Sequence, residues 1–259
     1  CDVLAQGLSS TAGVAIRGGT GPNQLSDLEG TRRQIVRTPF GDPSGALTFG
    51  KLNKREVVFL ARHGYGHTIP PHQVNYRANV WALHSQGVAH VVSVASVGGI
   101  RADLPPGTLA LPDQLVDYTW GRKHTFFEGA DQPVTHVDFT HPSCEQLRDN
   151  LLKAAATVGQ ALVNKGVYAA TQGPRLETAA EINRLERDGA DMVGMTGMPE
   201  AALAREVGLR YAAVAVVVNH AAGRGDSRHE IHMDQINAVL QSSMVKVRAL
   251  LGKLVEADD

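Results

Sequence analysis

Apolar residues in this chain fall into short runs rich in β-branched side chains. A continuous run of this kind, bounded by turn residues, is typical of a strand buried on both faces. Four clear runs and two weaker ones predict strands at residues 56–61, 90–97, 192–195 and 211–218, and then at 107–112 and 164–171.

Between the predicted strands, apolar residues recur at the spacing of amphipathic helices, and most of these segments end at a glycine, a common helix stop. The longest covers residues 233–254, with Ile236, Leu240 and Met244 on one stripe. Strands alternating with helices predict one layered α/β domain with a largely parallel sheet. We expect residues 15–259 to form it, residues 1–14 to be a leader, and the aperiodic stretch 117–142 to be a functional or interface loop.

Composition excludes several classes of function. The 259 residues are 43% hydrophobic, and their formal net charge is -1. The hydrophobic content is that of an ordinary globular protein, and the net charge gives no electrostatic sign of binding to nucleic acid or an anionic membrane. No apolar stretch reaches the roughly 18 residues of a membrane span. Two cysteines, Cys1 and Cys144, cannot build a disulfide framework, so we expect a cytoplasmic protein.

Residues that could bind or react with a ligand come directly after the predicted strands. In layered α/β proteins, ligands gather at the carboxyl ends of the strands. A glycine-rich turn at residues 16–24 offers backbone N–H groups for an anion, although it is neither a dinucleotide-binding fingerprint nor a Walker A loop. Together, the strand ends predict one anion site with contributions from Thr20, Arg62, His63, the backbone at Ser96, and Thr196.

Four motifs, "GGTG", "RHGYGHTIPPHQVNYRAN", "GPRLETAAEI" and "GMTGMPEAALARE", resemble the trimeric purine nucleoside phosphorylase and methylthioadenosine phosphorylase family. The resemblance covers residues 16–254. It implies a single-domain three-layer sandwich with a mixed, largely parallel sheet, assembled as a homotrimer. It also implies cleavage of a purine nucleoside by inorganic phosphate, which is a co-substrate, with no metal and no organic cofactor.

The resemblance also implies roles for individual residues. The five residues of the anion site become the phosphate site, and Arg62, His63 and Asn219 become the residues expected to act in catalysis. The base would lie against Leu176, where the family usually has Phe. The remaining implied contacts are to the sugar and come from Met195, His67 and His136, the last of these reaching into the neighbouring subunit's site.

Two residues predict which purine is recognised. The amide of Asn219 can donate a hydrogen bond to one ring atom and contact another, and in the family Asn at this position accompanies 6-oxopurines. The carboxylate of Glu177 can accept the hydrogen that 6-oxopurines carry on N1, whereas adenine has only a lone pair there. The alternatives are that Asn219 is a strand-end turn residue and that Glu177 interacts with a helix dipole.

Met233 and Ile236 lie where the methylthio-specific branch of the family has apolar residues. An apolar pocket suits a methylthio group and leaves a hydroxyl without a partner. They are equally compatible with a helix core, and His229 and His232 lie nearby. The expected substrate is therefore a 5′-methylthio nucleoside of a 6-oxopurine. A methylthioadenosine or inosine/guanosine phosphorylase remains an alternative.

The same residues bear on functions from other classes. The histidines His63, His67 and His72 raise the possibility of a metal site, but no accompanying cysteine or carboxylate triad completes one. A nucleotide-binding oxidoreductase lacks its third glycine and ribose-binding acid. A non-catalytic nucleoside-binding protein would not need a phosphate site.

Overall fold

The structure is a computed structural model that describes residues 28–257 and the backbone of residues 14–18. Thr20 and residues 1–13 of the expected leader lie outside this range, so the division into leader and domain stays a prediction. The strands are β1 (Val14–Gly18), β2 (Glu29–Gln34), β3 (Leu47–Leu52), β4 (Arg55–Ala61), β5 (His90–Gly99), β6 (Leu109–Leu111), β7 (Gln114–Asp117), β8 (Val163–Asn164), β9 (Val167–Ala170), β10 (Met192–Gly194) and β11 (Arg210–His220). The helices are α1 (Tyr76–His84), α2 (Glu145–Thr157), α3 (Ala179–Arg187), α4 (Gly197–Glu206) and α5 (Met233–Glu256), with a short 3-10 helix at Gly225–Ser227.

The predicted sheet is confirmed as mixed and largely parallel. Strands β4, β1, β5 and β11 run parallel to one another, as do β10, β9 and β7. The two sets join at β5 and β10, which are antiparallel. The outer strands β2 and β3 and the short β6 add further antiparallel pairs.

The junction of the two sets depends on a pair of glycines at the end of β5. The first half of β5 pairs with β1, and only Gly98 and Gly99 pair with β10. A Cβ on Gly99 would lie 2.0 Å from the carbonyl oxygen of Leu104, which no side chain tolerates. The absence of side chains here lets the sheet change neighbours and curl.

Helices cover both faces of the sheet and complete the three layers. One core cluster includes Val80 and Leu83 of α1 with Leu203 of α4, and the other includes Leu147 of α2 with Val247 of α5. The predicted stripe on α5 is confirmed, since Leu240, Met244, Val247, Leu250 and Leu251 are buried and Ile236 packs at its edge. In the described part of the chain, no helix is long and apolar enough to cross a membrane.

Candidate active site

The register of the strands brings most of the predicted phosphate residues to one edge of the sheet. Arg62 and His63 follow β4 directly, and Ser96 lies opposite Val216 of β11. Strand β10 runs the opposite way, but it starts opposite Gly99, the last residue of β5, and runs back along that strand for only a few residues. Its carboxyl end, which leads into Thr196, therefore lies at the same edge.

Arg62 is fully buried and is held by an acidic partner that the sequence did not suggest. Its Nε and Nη2 atoms donate to the two carboxylate oxygens of Glu200 at 2.8 and 3.1 Å. Nη2 also donates to Ser93 Oγ at 2.6 Å, and the hydroxyl of Tyr211 donates to Glu200 at 2.9 Å. This bidentate geometry fixes the plane of the guanidinium.

The protonation states of this cluster follow from its burial. Burial alone would lower the pKa of Arg62, but the charge and hydrogen bonds of Glu200 outweigh it and raise that pKa above its ordinary value. Burial and the Glu200 carboxylate raise the pKa of Tyr211 well above its ordinary range. Arg62 is therefore charged and Tyr211 is a hydrogen-bond donor at every physiological pH.

One edge of Arg62 remains for a ligand. Its Nη1 atom makes a single long contact, 3.5 Å, to the carbonyl of Val94, so its second hydrogen has no acceptor among the described residues. The Nε and Nη2 hydrogens are already used. Nη1 is therefore the atom of Arg62 that could contact a ligand anion. Val94, which it approaches, lies two residues before Ser96 on β5.

His63, the next residue after Arg62, is also buried. Its Nδ1 lies 2.8 Å from the carbonyl of Ile69. Since a carbonyl only accepts, Nδ1 carries the hydrogen, and Nε2 of the neutral ring is an acceptor. The ring of His67 lies over it with 4.8 Å between ring centroids, and His67 itself is exposed.

Thr196 is buried at the turn between β10 and α4, and its environment explains the glycines around it. Its backbone N–H donates to the hydroxyl of Tyr168 at 3.3 Å. A Cβ on Gly194 or Gly197 would lie 2.1 or 2.8 Å from atoms of the Tyr168 side chain. The Thr196 side chain does not cap α4 and is hydrogen-bonded to Tyr168 instead.

Asn219 lies beside a β-bulge near the end of β11. The pairing with β5 shifts by one residue between Val217 and Asn219, opposite Val97 and Gly98. Bulges of this kind re-aim a side chain, often next to an active site. Among the residues that the structure describes, the half-buried amide has one partner, the carbonyl of His220, to which Nδ2 donates at 2.6 Å, so its oxygen and second N–H can contact a ligand.

Glu177 lies just before α3 and does not cap it. The N-cap of α3 is Thr178, which forms a capping box with Glu181. A hydrogen bond from Arg175 and one from the Thr178 backbone lower the pKa of Glu181 to about 2. Glu177 instead accepts a 2.6 Å hydrogen bond from the hydroxyl of Thr171, which disfavours the helix-dipole alternative.

The predicted sugar and stacking residues are more scattered. Met195 packs against Gly173, where a Cβ would lie 2.4 Å from its sulfur. Leu176, Met233 and His136 are exposed, and Ile236 is half-buried against the core cluster of α2 and α5. The core alternative therefore accounts for Ile236 as well as the pocket does.

Sequence reasoning missed Glu200, Tyr211 and Ser93 around Arg62. Glu200 was part of a quoted motif, but nothing local marks a buried carboxylate on an otherwise ordinary helix. Among the described residues, no group of three or more His, Cys, Asp or Glu side chains is arranged to hold a metal ion.

Comparison with known proteins places this geometry in a family. The Phosphorylase superfamily matches residues 14–256. A protein from Pseudomonas syringae pathovar tomato named "Probable S-methyl-5'-thioinosine phosphorylase" is 53% identical over 94% of this chain and 98% of its own length. A "Probable 6-oxopurine nucleoside phosphorylase" from Thermococcus kodakarensis is 44% identical over 94% and 91%.

Among solved structures, a methylthioadenosine phosphorylase from Schistosoma mansoni in complex with adenine superposes with a TM-score of 0.89 at 34% identity, covering 95% of this chain and 91% of that one. The buried strands, the strand-end residues and these similarities agree with one another. The chain belongs to the Phosphorylase superfamily and is a phosphate-dependent purine nucleoside phosphorylase.

Proposed function

We propose that this enzyme cleaves S-methyl-5′-thioinosine with inorganic phosphate, giving hypoxanthine and 5-methylthioribose 1-phosphate. The observation that carries the proposal is the register of β4, β1, β5 and β11, which brings Asn219, paired with Gly98, to the same edge of the sheet as Ser96 and Arg62. The Pseudomonas relative carries the corresponding name at 53% identity, which supports the choice of nucleoside.

The proposed chemistry needs only positioning and hydrogen bonding. A phosphate oxygen attacks the anomeric carbon of the sugar, the bond from that carbon to the purine nitrogen breaks, and its electron pair goes to the base. Arg62 Nη1 and the Thr196 hydroxyl would donate to the phosphate beneath the sugar, where oriented donors are most effective. His63 Nε2 would accept a hydrogen bond from the hydroxyl of the phosphate. No cofactor takes part.

On the base side, negative charge develops on the departing purine. A hydrogen bond from the Asn219 amide to N7 would stabilise that charge, and Glu177 would accept the hydrogen on N1. The N1 contact favours a 6-oxopurine, whereas N7 is an acceptor in both classes of purine. Met195 would lie under the sugar, and Met233 with Ile236 would receive the methylthio group.

The test is phosphate-dependent base release from methylthioinosine, methylthioadenosine and inosine, measured side by side, with a control lacking phosphate. We expect methylthioinosine to give the highest kcat/KM and no release without phosphate. Faster turnover of methylthioadenosine would overturn the base assignment, and faster turnover of inosine would overturn the sugar assignment. Release from none of them would favour a nucleoside-binding protein.

We also propose that the enzyme is a homotrimer in which His136 completes the neighbouring subunit's site. The loop that carries His136 exposes Trp120 to 70% and Val134 to 79%, and Val137 is exposed next to His136. Large apolar side chains exposed together on one loop favour a protein interface.

Complementation tests this arrangement. We expect His136→Ala and Arg62→Ala each to be poorly active alone. Mixed trimers from co-expression should regain activity, because some sites would then combine an intact Arg62 with an intact His136 from the next subunit. Light scattering should give the mass of three chains. Trimers without complementation would contradict the shared site.

A further inference from the structure

Arg122 lies in the aperiodic loop between β7 and α2 and is buried. Its Nη1 donates to the carbonyls of Met195 and Met198 at 2.8 and 2.7 Å. Its Nη2 donates to the carbonyls of Thr171 and Gln172 at 3.3 and 3.0 Å. A buried guanidinium that donates mostly to backbone carbonyls holds the chain segments that carry those carbonyls together.

The segments it joins are those that carry the proposed site. The carbonyls of Thr171 and Gln172 belong to the loop that leads to Glu177, and those of Met195 and Met198 flank Thr196. The base-side loop and the turn on the phosphate side are therefore tied to the same planar group.

A third connection reaches the histidine loop. Arg122 Nη1 also donates to the hydroxyl of Tyr76 at 3.1 Å, and that hydroxyl donates its own hydrogen to the carbonyl of Pro71 at 2.8 Å. The loop that contains His67 and His72 is thereby connected to the Arg122 guanidinium as well. No carboxylate forms an ion pair with Arg122 within the described ranges, so carbonyl and hydroxyl oxygens solvate its charge.

We propose that Arg122 is a positioning residue for the reaction: it sets the distance between the base-side loop, the sugar- and phosphate-side turn, and the histidine loop. This inference rests on the proposed function of that site. Arginine is required because only its planar fork of five N–H groups reaches both carbonyl pairs at once; the compact ammonium of lysine has three donors and would satisfy one pair.

Displacing the three segments that Arg122 joins is expected to affect catalysis more than folding. Displacing reacting groups by about 1 Å costs roughly 100-fold in rate. Arg122→Lys keeps the charge and much of the volume but releases one pair of carbonyls. We expect kcat/KM for the nucleoside to fall by about 10- to 100-fold, with both kcat and KM changed.

Arg148 is the matched control. It is equally buried, and its Nη2 donates to the carbonyl of Leu111 and to Asn164 Oδ1 at 3.2 and 2.6 Å. Because β6 runs antiparallel to β11, Leu111 lies beside the first half of β11, whereas Asn219 lies near the end of that strand. Arg148→Lys should lower the melting temperature as Arg122→Lys does and leave the kinetic constants unchanged.

The experiment measures kcat and KM for methylthioinosine, hypoxanthine binding by calorimetry, and the melting temperature of both variants and the parent enzyme. A kinetic loss in Arg122→Lys that is absent from Arg148→Lys supports the inference, and equal kinetics in the two variants overturn it. If Arg122→Lys does not fold, Tyr76→Phe takes its place, with an expected loss of about fivefold and no loss overturning the inference.

Failure of the proposed function gives a different result. If the parent enzyme releases no base from any nucleoside, the function is wrong, and the hypoxanthine affinities of the two lysine variants still decide the role of Arg122. Weaker binding in Arg122→Lys alone supports it, and equal binding overturns it.

Discussion

Replacing Arg62 with alanine is expected to raise the KM for phosphate by about 10- to 150-fold, because a hydrogen bond between charged groups is worth about 1.5–3 kcal/mol. Its Nη1 edge is the part of the guanidinium that Glu200 and Ser93 do not use. Because the bidentate ion pair fixes the plane of the group, that edge is held ready before phosphate binds.

The same substitution should destabilise the fold. It leaves the Glu200 carboxylate buried without its cation, and breaking a buried pair from one side costs about 3–5 kcal/mol. Loss of phosphate binding and loss of folding must therefore be separated. The double variant Arg62→Ala with Glu200→Gln removes both charges.

The double variant should recover part of the lost stability, measured as the free energy of unfolding in urea, and none of the phosphate affinity, measured as KM at saturating nucleoside. Tyr211 can still donate to the amide oxygen of the introduced glutamine. A double variant with the parent's KM for phosphate would show that Arg62 only supports the core.

Asn219→Asp is expected to shift the preference from methylthioinosine toward methylthioadenosine, changing the ratio of the two kcat/KM values by about 100-fold. The substitution keeps the shape of the side chain and replaces its N–H donors with acceptors. A carboxylate can accept from the 6-amino group of adenine. It faces the ring acceptor and the 6-oxo group of hypoxanthine without a hydrogen to share.

The position of Asn219 adds a structural consequence. Its Nδ2 now donates to the carbonyl of His220 at 2.6 Å, and an ionised aspartate would set two acceptors against each other. Asn219→Ala is therefore the control, because it removes the amide without adding an acceptor. It should slow both nucleosides and leave their ratio near the parent's. An unchanged ratio in Asn219→Asp would count against recognition of the purine ring by this residue.

Much of the fold was predictable because its signals are local. Strands buried on both faces are continuous apolar runs, and the helices between them have their own period and end at glycines. The predicted runs at 90–97 and 211–218 are the centres of β5 and β11. The apolar runs did not mark strands β1, β2, β3 and β7. All six residues of β2 are exposed, and no apolar pattern marks them.

Residues that follow buried strands were also predictable as candidates, since parallel strands deliver them to one edge. Arg62, His63 and Asn219 were identified in this way, with the family resemblance supplying their roles. Those roles remain predictions that the substitutions above test.

The sequence by itself determined the buried strands, the helices between them and the polar side chains that follow those strands, because these depend on neighbours along the chain. The tertiary structure alone decided how those ends are held. Glu200 meets Arg62 across 138 positions of sequence, and Arg122 meets Met198 across 76. Partners so far apart in sequence produce no periodic pattern that could predict their contact. Once buried, their hydrogen bonds are kept in one geometry, because an unpaired polar group in the interior costs free energy.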